Sequence, residues 1–395
     1  MKTMTKKKLA IRFGIIEAVY WSIFATFAAY ITAFGLSRGY AQSTVSIMVS
    51  IYMTGAFTGQ FVWGSVCDKL RTNKKVFLFG LGIACFLQLG MYFFKNPIVF
   101  SVLYGLFGFM LGPMGSILET WMLKCINYDG MLYGRSRSAG SAGYAVVILI
   151  MGFLIGKFGF YLMPICSTVF IIITFIISLL TQDSPVEEGA RTSISLKDIM
   201  SIMRIPIYLL IIVMMFFIGL AIAPINNLKI MVLKSVGGGV AIQGVDSFIG
   251  CISQFTLFFF SGAFTAIPAK KRLFGCSIMI FLAIGINLIA TVPWMVIMGT
   301  VILFGAYSLL IPAAREVVRV HIEYKYQTTA NGLVDAFYGS LAGTISLLYA
   351  GTLADTISVK FMIFVSMIIA FIPISIISIV ILRGRTNRKK VRSMS

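Results

Sequence analysis

Twelve long apolar runs follow one another along the chain, and each is close to the roughly 20 residues that a helix needs to cross a bilayer. They lie at about 10–34, 43–65, 75–94, 98–123, 137–156, 160–181, 205–231, 240–264, 272–292, 294–314, 327–351 and 358–382. Only 12% of the residues are charged, against about 25% in soluble domains. The runs therefore predict an all-α membrane protein with twelve transmembrane helices.

The most polar stretch, "TQDSPVEEGARTSISLKDIMSIMR", lies between the sixth and seventh runs. Within it, "SISLKDIMSIM" offers a serine N-cap and an amphipathic pattern, which predicts a short helix on the membrane surface. We therefore expect an N-terminal six-helix bundle at 1–182, a cytoplasmic linker at 183–204, and a C-terminal six-helix bundle with a basic tail at 205–395.

The basic residues predict the orientation of the chain. If the N-terminus is cytoplasmic and the loops alternate, 27 of the 33 Lys and Arg residues lie inside. That asymmetry follows the positive-inside rule, so both termini are expected in the cytoplasm of a multi-pass protein of the cell membrane. The rule also explains the net charge of +20, and no nucleic-acid partner is expected.

Cysteine and histidine give no sign of a cofactor. The six cysteines are scattered singly, and the one histidine, His321, has no metal-binding residues near it in the sequence. We expect neither a metal nor disulfides. No nucleotide-binding loop or nucleophile triad indicates an enzyme. A monomer in the lipid bilayer is expected.

The two halves resemble each other in spacing. The stretch 150–163, "IMGFLIGKFGFYLM", matches 349–362, "YAGTLADTISVKFM", at an offset of 199 residues. Parallel six-helix repeats of this kind predict a substrate site at the repeat interface near mid-membrane.

The loop after the second run carries a family motif. Its sequence, "GSVCDKLRTNKK" from Gly64, resembles the loop signature of the major facilitator superfamily, although Arg71-Thr72-Asn73 replaces the usual glycine and arginine. The resemblance implies an alternating-access secondary transporter in which Gly64, Asp68 and Lys69 belong to a gating loop. A basic loop that only fixes topology is the simpler alternative.

Glu119 lies near the end of the fourth run, and Arg137 and Tyr144 lie in the fifth. This region is similar to helices 4 and 5 of the lactose permease family of oligosaccharide or nucleoside proton symporters. Glu119 and Arg137 match a glutamate and an arginine that pair and bind sugar there, and Tyr144 replaces a stacking tryptophan. The resemblance implies that these three residues bind a small polar solute. Such a pair can also grip hydroxyl groups on chemical grounds. The alternative is that both charges snorkel to the interface or only tie the two helices together.

The C-terminal half lacks the charged residues on which proton coupling depends in that family, since Leu273 to Ala314 contains no charge. Ionisable residues at membrane depth are the remaining candidates for proton coupling. They are Asp335 on helix 11, with Lys229 on helix 7 as its partner, and Glu17 on helix 1. The alternatives are a structural Asp335–Lys229 pair and a snorkelling Glu17.

These observations favour a proton-coupled symporter that imports a small polar solute, such as an oligosaccharide or nucleoside, with the proton gradient as driving force. A proton-coupled exporter on the same fold is the main alternative, although helix 5 lacks the proline found in many exporters. A non-transporting membrane sensor is the remote alternative.

Overall fold

The computed structural model describes residues 5–184, 196–259, 264, 266–323 and 326–392, and these form helices and connecting turns with no β-strand. In the N-terminal half the spanning helices are α1 (Lys6–Thr26, continued through Ile31–Ser37), α2 (Gln42–Leu70), α3 (Lys74–Phe93), α4 (Pro97–Leu111 and Met114–Cys125), α5 (Gly130–Phe158) and α6 (Leu162–Leu179).

In the C-terminal half they are α7 (Pro206–Asn227), α8 (Val240–Phe259), α9 (Ala269–Ile289), α10 (Pro293–His321), α11 (Gln327–Asp335, Ala336–Leu341 and Ala342–Thr356) and α12 (Val359–Arg392). All twelve are long and apolar enough to cross a membrane. The prediction of twelve spanning helices is confirmed. Which face of the membrane holds the termini stays a prediction.

The chain forms two compact units, one comprising residues 1–190 with 239–248 and the other comprising 191–238 with 249–395. A short helix, Leu196–Met203, precedes α7 in the second unit. It falls within the predicted surface helix, whose proposed serine N-cap lies outside the described residues.

In the first unit, α1 packs along α5 through small residues. Ser136 donates a hydrogen bond to the Ala10 carbonyl oxygen at 2.7 Å. Further along, Gly143 lies against the backbone of Ala18, at a distance that leaves no room for a Cβ atom. Because both contacts advance in the same direction along the two helices, α1 and α5 run parallel. This parallel pair holds the side chains discussed below.

In the second unit, α7 packs along α11 in the same way. The Tyr208 hydroxyl donates to the Ala330 carbonyl oxygen at 2.9 Å, and Gly219 lies directly against the backbone of Tyr338. These two helices are therefore also parallel. A wider, π-helical turn at Ala336–Leu341 interrupts α11. Such turns occur frequently at functional sites.

Several helix boundaries differ from the sequence-based expectation, and two of these differences involve candidate site residues. α5 begins at Gly130, seven residues before the predicted start, because the Asp129 carboxylate accepts the backbone N–H groups of Met131 and Leu132 at 3.1 and 3.0 Å. Such capping satisfies donors that the first helical turn leaves unpaired. Arg137 therefore lies within α5, about two turns after the first residue of the helix.

The second difference concerns α2, which continues to Leu70 and shortens the loop that follows it. Gly64 and Lys69 therefore lie in the last turns of a helix and not in a loop. A Cβ atom on Gly64 would meet no atom of the described residues within 4 Å, so no described neighbouring helix packs closely against this glycine. The backbone of Asp68 is helical, and its side chain lies outside the described part of the structure. The gating role of these residues stays a prediction.

Candidate functional site

Glu119 on α4 and Arg137 on α5 form a direct ion pair. Arg137 Nε lies 2.6 Å from Glu119 Oε1, and each side chain keeps 31% of its surface exposed. The other carboxylate oxygen, Oε2, accepts a hydrogen bond from the Tyr133 hydroxyl at 3.0 Å. Two neighbouring helices thus hold a charged pair that remains accessible.

An aromatic ring on α1 covers the guanidinium group. The Arg137 Cζ atom lies 4.8 Å from the centre of the Trp21 ring. A cation over an indole face gains about 0.5–1 kcal/mol at exposed sites and about 2 kcal/mol where water is excluded. Trp21 therefore covers one face of the guanidinium group.

The same indole ring connects the ion pair to a buried acid. Trp21 Nε1 donates to Glu17 Oε2 at 2.9 Å, and Glu17 has none of its surface exposed. Its second oxygen, Oε1, has no hydrogen-bond partner among the described residues. We call Glu17, Trp21, Glu119, Tyr133 and Arg137 the Arg137 cluster.

Close packing between α1 and α5 depends on a glycine beside this cluster. A Cβ atom on Gly140 would lie 2.6 Å from a ring carbon of Trp21 and 3.1 Å from an oxygen of Glu17. Those distances exclude any larger residue unless the indole moves. Gly140 lies one turn after Arg137, so it makes the space in which the tryptophan reaches the guanidinium group.

The Arg137 cluster has the donors and acceptors needed to bind hydroxyl groups. Only Nε of Arg137 has a described hydrogen bond, so its two terminal nitrogens can donate to a ligand. Charge-assisted hydrogen bonds of this kind are stronger than neutral ones. The indole face adds an apolar surface suited to the C–H face of a sugar or to a nucleobase. The cluster thus suits a small solute with both hydroxyl and apolar faces.

The structure places Glu119 and Arg137 beside each other, and the stacking of Tyr144 on a solute stays a prediction. Tyr144 is half-buried on α5, two turns beyond Arg137, while the ring described over the guanidinium group belongs to Trp21. Tyr133 was also missed. The sequence signal that could have identified Trp21 was its spacing from Glu17. The two residues are four apart and therefore share one helix face.

The second unit contains a similar pair with the charges exchanged. Arg315 on α10 lies 3.1 Å from Asp335 on α11, and about half of each side chain is exposed. α10 and α11 correspond to α4 and α5 in the other repeat. Asp335 follows Arg137 by 198 residues and Arg315 follows Glu119 by 196, close to the offset of 199 between the repeats. The pairs therefore occupy equivalent places.

Glu316, next to Arg315, makes a different ion pair. It binds Arg272 on α9, whose side chain is only 5% exposed. Arg272 also donates through Nε to the Ile267 carbonyl oxygen at 3.0 Å. Adjacent residues of α10 thus bind α9 and α11, which the sequence analysis did not predict.

The structure does not bring Asp335 and Lys229 together. Asp335 lies one turn before Tyr338, which is level with Gly219 on α7. Lys229 follows Gly219 by ten residues, which is about 15 Å at 1.5 Å per residue. Lys229 Nζ instead donates to the Thr300 hydroxyl at 2.9 Å. The proposed coupling role of Asp335 must therefore be considered without Lys229.

Comparisons with known proteins agree on the family to which the chain belongs. The MFS_1 like family, within the major facilitator superfamily, matches residues 11–366. The maltose permease of Geobacillus stearothermophilus is 22% identical over 363 residues, which cover 88% of this chain and 89% of the permease. These matches span nearly all of the predicted helices.

Two solved structures share the fold. The nucleoside transporter NupG superposes with a TM-score of 0.82 at 12% identity, covering 93% of this chain and 98% of NupG. A D-xylose-proton symporter superposes with a TM-score of 0.69 at 11% identity, covering 94% and 96%. The predicted major facilitator fold is confirmed. The chain is a multi-pass membrane transporter, not an enzyme, and it belongs to the MFS_1 like family.

Proposed function

We propose that this transporter is a proton-coupled symporter in the cell membrane. It imports a small polar solute, such as an oligosaccharide or a nucleoside, by alternating access. The observation that carries the proposal is the Arg137 cluster, in which an accessible guanidinium–carboxylate pair lies beside an indole ring. Hydroxyl groups bind the pair, and the less polar face of the solute binds the ring.

The comparisons support this class of solute. By their names, the similar proteins transport maltose, nucleosides and D-xylose. All of these are compact molecules with several hydroxyl groups and a less polar face. In a nucleoside, the hydroxyl groups lie on the sugar ring. The Arg137 cluster suits the chemistry that they share.

Glu17 is the proposed proton carrier. It is fully buried, and its one described hydrogen bond leaves Oε1 without a partner in the described structure. An ionised carboxylate is costly to bury without full hydrogen bonding, so a group placed in this way suits proton exchange during turnover. Asp335 suits that role less well, because it is half exposed and already paired with Arg315.

The test is a thermal-shift screen of the purified protein with panels of sugars, oligosaccharides and nucleosides. Solutes that raise the melting temperature are then tested for uptake into proteoliposomes, with and without an imposed pH gradient. We expect accumulation above the outside concentration only when the lumen is alkaline. The same protein with Arg137→Lys provides the control for binding at the cluster.

Two outcomes would overturn the proposal. Accumulation that is unchanged when the pH gradient is collapsed would exclude proton coupling. If the proton gradient drives the same solutes only outward, that result would favour the exporter. Accumulation driven by a separately applied sodium gradient would identify sodium as the coupling ion.

A further inference from the structure

A groove of about 530 Å³ runs between α1 and α5. Its floor is formed where the helices meet closely at Gly14 and Ser136, since a Cβ atom on Gly14 would lie 3.6 Å from the Ser136 backbone. One wall is formed by Ile11 and Ile15, which are 66% and 49% exposed. The groove is therefore apolar along most of its length.

Two cations stand at one end of the groove. Lys7 is in the first turn of α1, and Arg135 is in the second turn of α5. Because the two helices run parallel, both residues lie at the same membrane surface. Both side chains are exposed, and neither has a hydrogen bond or ion pair within the described residues. The mouth of the groove thus carries two positive charges that are not paired with any acidic side chain among the described residues.

The length of the groove matches one half of a bilayer. It extends along α1 from Lys7 to Ala18, eleven residues or about 16 Å at 1.5 Å per residue. The hydrocarbon core of a bilayer is about 30 Å thick, so a single leaflet is about 15 Å. An acyl chain whose headgroup lies at the surface would fill the groove to its end.

From these observations we propose that the groove binds one anionic phospholipid. Its phosphate lies between Lys7 and Arg135, and one acyl chain follows the apolar channel past Ile11 and Ile15. Charge complementarity favours this occupant over a helix from a second copy of the chain, because an apolar helix would cover both cations without neutralising them. Basic sites between spanning helices bind anionic headgroups by the same chemistry.

The experiment measures lipid binding to the purified full chain by native mass spectrometry. The two probes, dioleoyl phosphatidylglycerol and dioleoyl phosphatidylcholine, have the same acyl chains and differ in net charge. We expect one molecule of phosphatidylglycerol to bind at least tenfold more tightly than phosphatidylcholine. In a Lys7→Gln/Arg135→Gln variant, its affinity should fall about thirtyfold, because each cation near the surface contributes about a factor of five.

Lys270→Gln/Lys271→Gln is the matched control. It removes the same charge from an exposed pair at the start of α9, and phosphatidylglycerol binding should remain unchanged. Equal losses in the two double variants would overturn the proposal, since they would indicate attraction to the basic surface as a whole. Equal affinity of the unmodified chain for both lipids would also overturn it.

Two further measurements test the groove itself. Ala139→Leu narrows the groove without changing its charge, and it should weaken the binding of both lipids. Unchanged binding in that variant would exclude the groove as the acyl site. Competition by free glycerol phosphate at equal concentration would indicate a soluble anion in place of a lipid. Elution as a single monodisperse peak establishes that each variant is folded, and none of these readouts depends on transport.

Discussion

The guanidinium group of Arg315 lies 3.1 Å from Oδ2 of Asp335, and this contact between α10 and α11 repeats the contact between α4 and α5 with the charges exchanged. In the first repeat the acid is on the fourth helix and the base is on the fifth. Only that pair has a described aromatic ring over its guanidinium group. The repeats therefore share an architecture but offer different chemistry, and the solute binding that we propose involves the first.

Replacing Arg137 by lysine should reduce solute affinity by about 10- to 100-fold, because a charge-assisted hydrogen bond contributes about 1.5–3 kcal/mol. Lysine keeps the charge but lacks the planar group that bonds the solute and lies against Trp21. Isothermal titration with a solute identified by the screen measures the change. Arg135→Lys, two residues away, is the control and should bind normally. Equal affinity in both variants would exclude Arg137 from the site.

Exchanging the charges distinguishes binding from a structural tie. Each side chain of the pair is 31% exposed, so the pair contributes at most about 1 kcal/mol to stability. Glu119→Arg combined with Arg137→Glu should recover the stability that Glu119→Gln alone loses. It should not recover transport, since Trp21 would then face a carboxylate. Transport restored together with the melting temperature would show that the pair only joins α4 to α5.

Gly140→Ala should displace Trp21. Its Cβ atom would lie 2.6 Å from the indole ring, and overpacking of this kind costs about 1–3 kcal/mol. We expect a lower melting temperature, altered tryptophan emission and weaker solute binding. Gly134→Ala on the same helix is the control, because its Cβ atom would meet nothing within 4 Å. A Gly140→Ala protein that behaves like Gly134→Ala would contradict the described packing.

Glu17→Gln should abolish accumulation against a gradient while preserving exchange of solute across the membrane. The amide keeps the shape of the side chain and can still accept from Trp21 Nε1, but it cannot carry a proton. Asp335→Asn is the matched comparison and should retain accumulation. Proteoliposomes loaded with solute measure both activities. The opposite pattern would transfer the coupling role to Asp335.

Sequence patterns predicted the spanning helices well because their length is set by the bilayer and not by the neighbours of each helix. The Glu119–Arg137 pairing was predicted from the resemblance to the lactose permease family, because the two residues match a glutamate and an arginine that pair there. The pairing of Arg315 with Asp335 was not predicted, because it depends on how α10 packs against α11.

The roles of Trp21 and Tyr133 were not predictable in the same way. An aromatic residue within an apolar run has the same pattern whether it faces lipid, the core or a site. Contact between Trp21 and Arg137 requires α1 to approach α5 closely, and that approach depends on Gly140. The start of α5 was predicted too late because it was placed where the apolar run begins. The helix instead begins directly after the cap at Asp129.

Helix α1 contributes residues to two chemically different parts of the protein. One side presents Glu17 and Trp21 to the Arg137 cluster, and the other side forms a wall of the groove at Ile11 and Ile15. Any rotation or tilt of this helix during turnover changes both sides at once. Binding energies linked through one moving element are reciprocal. The composition of the surrounding bilayer would then alter solute affinity, and the solute would in turn alter how tightly the membrane's own molecules are held.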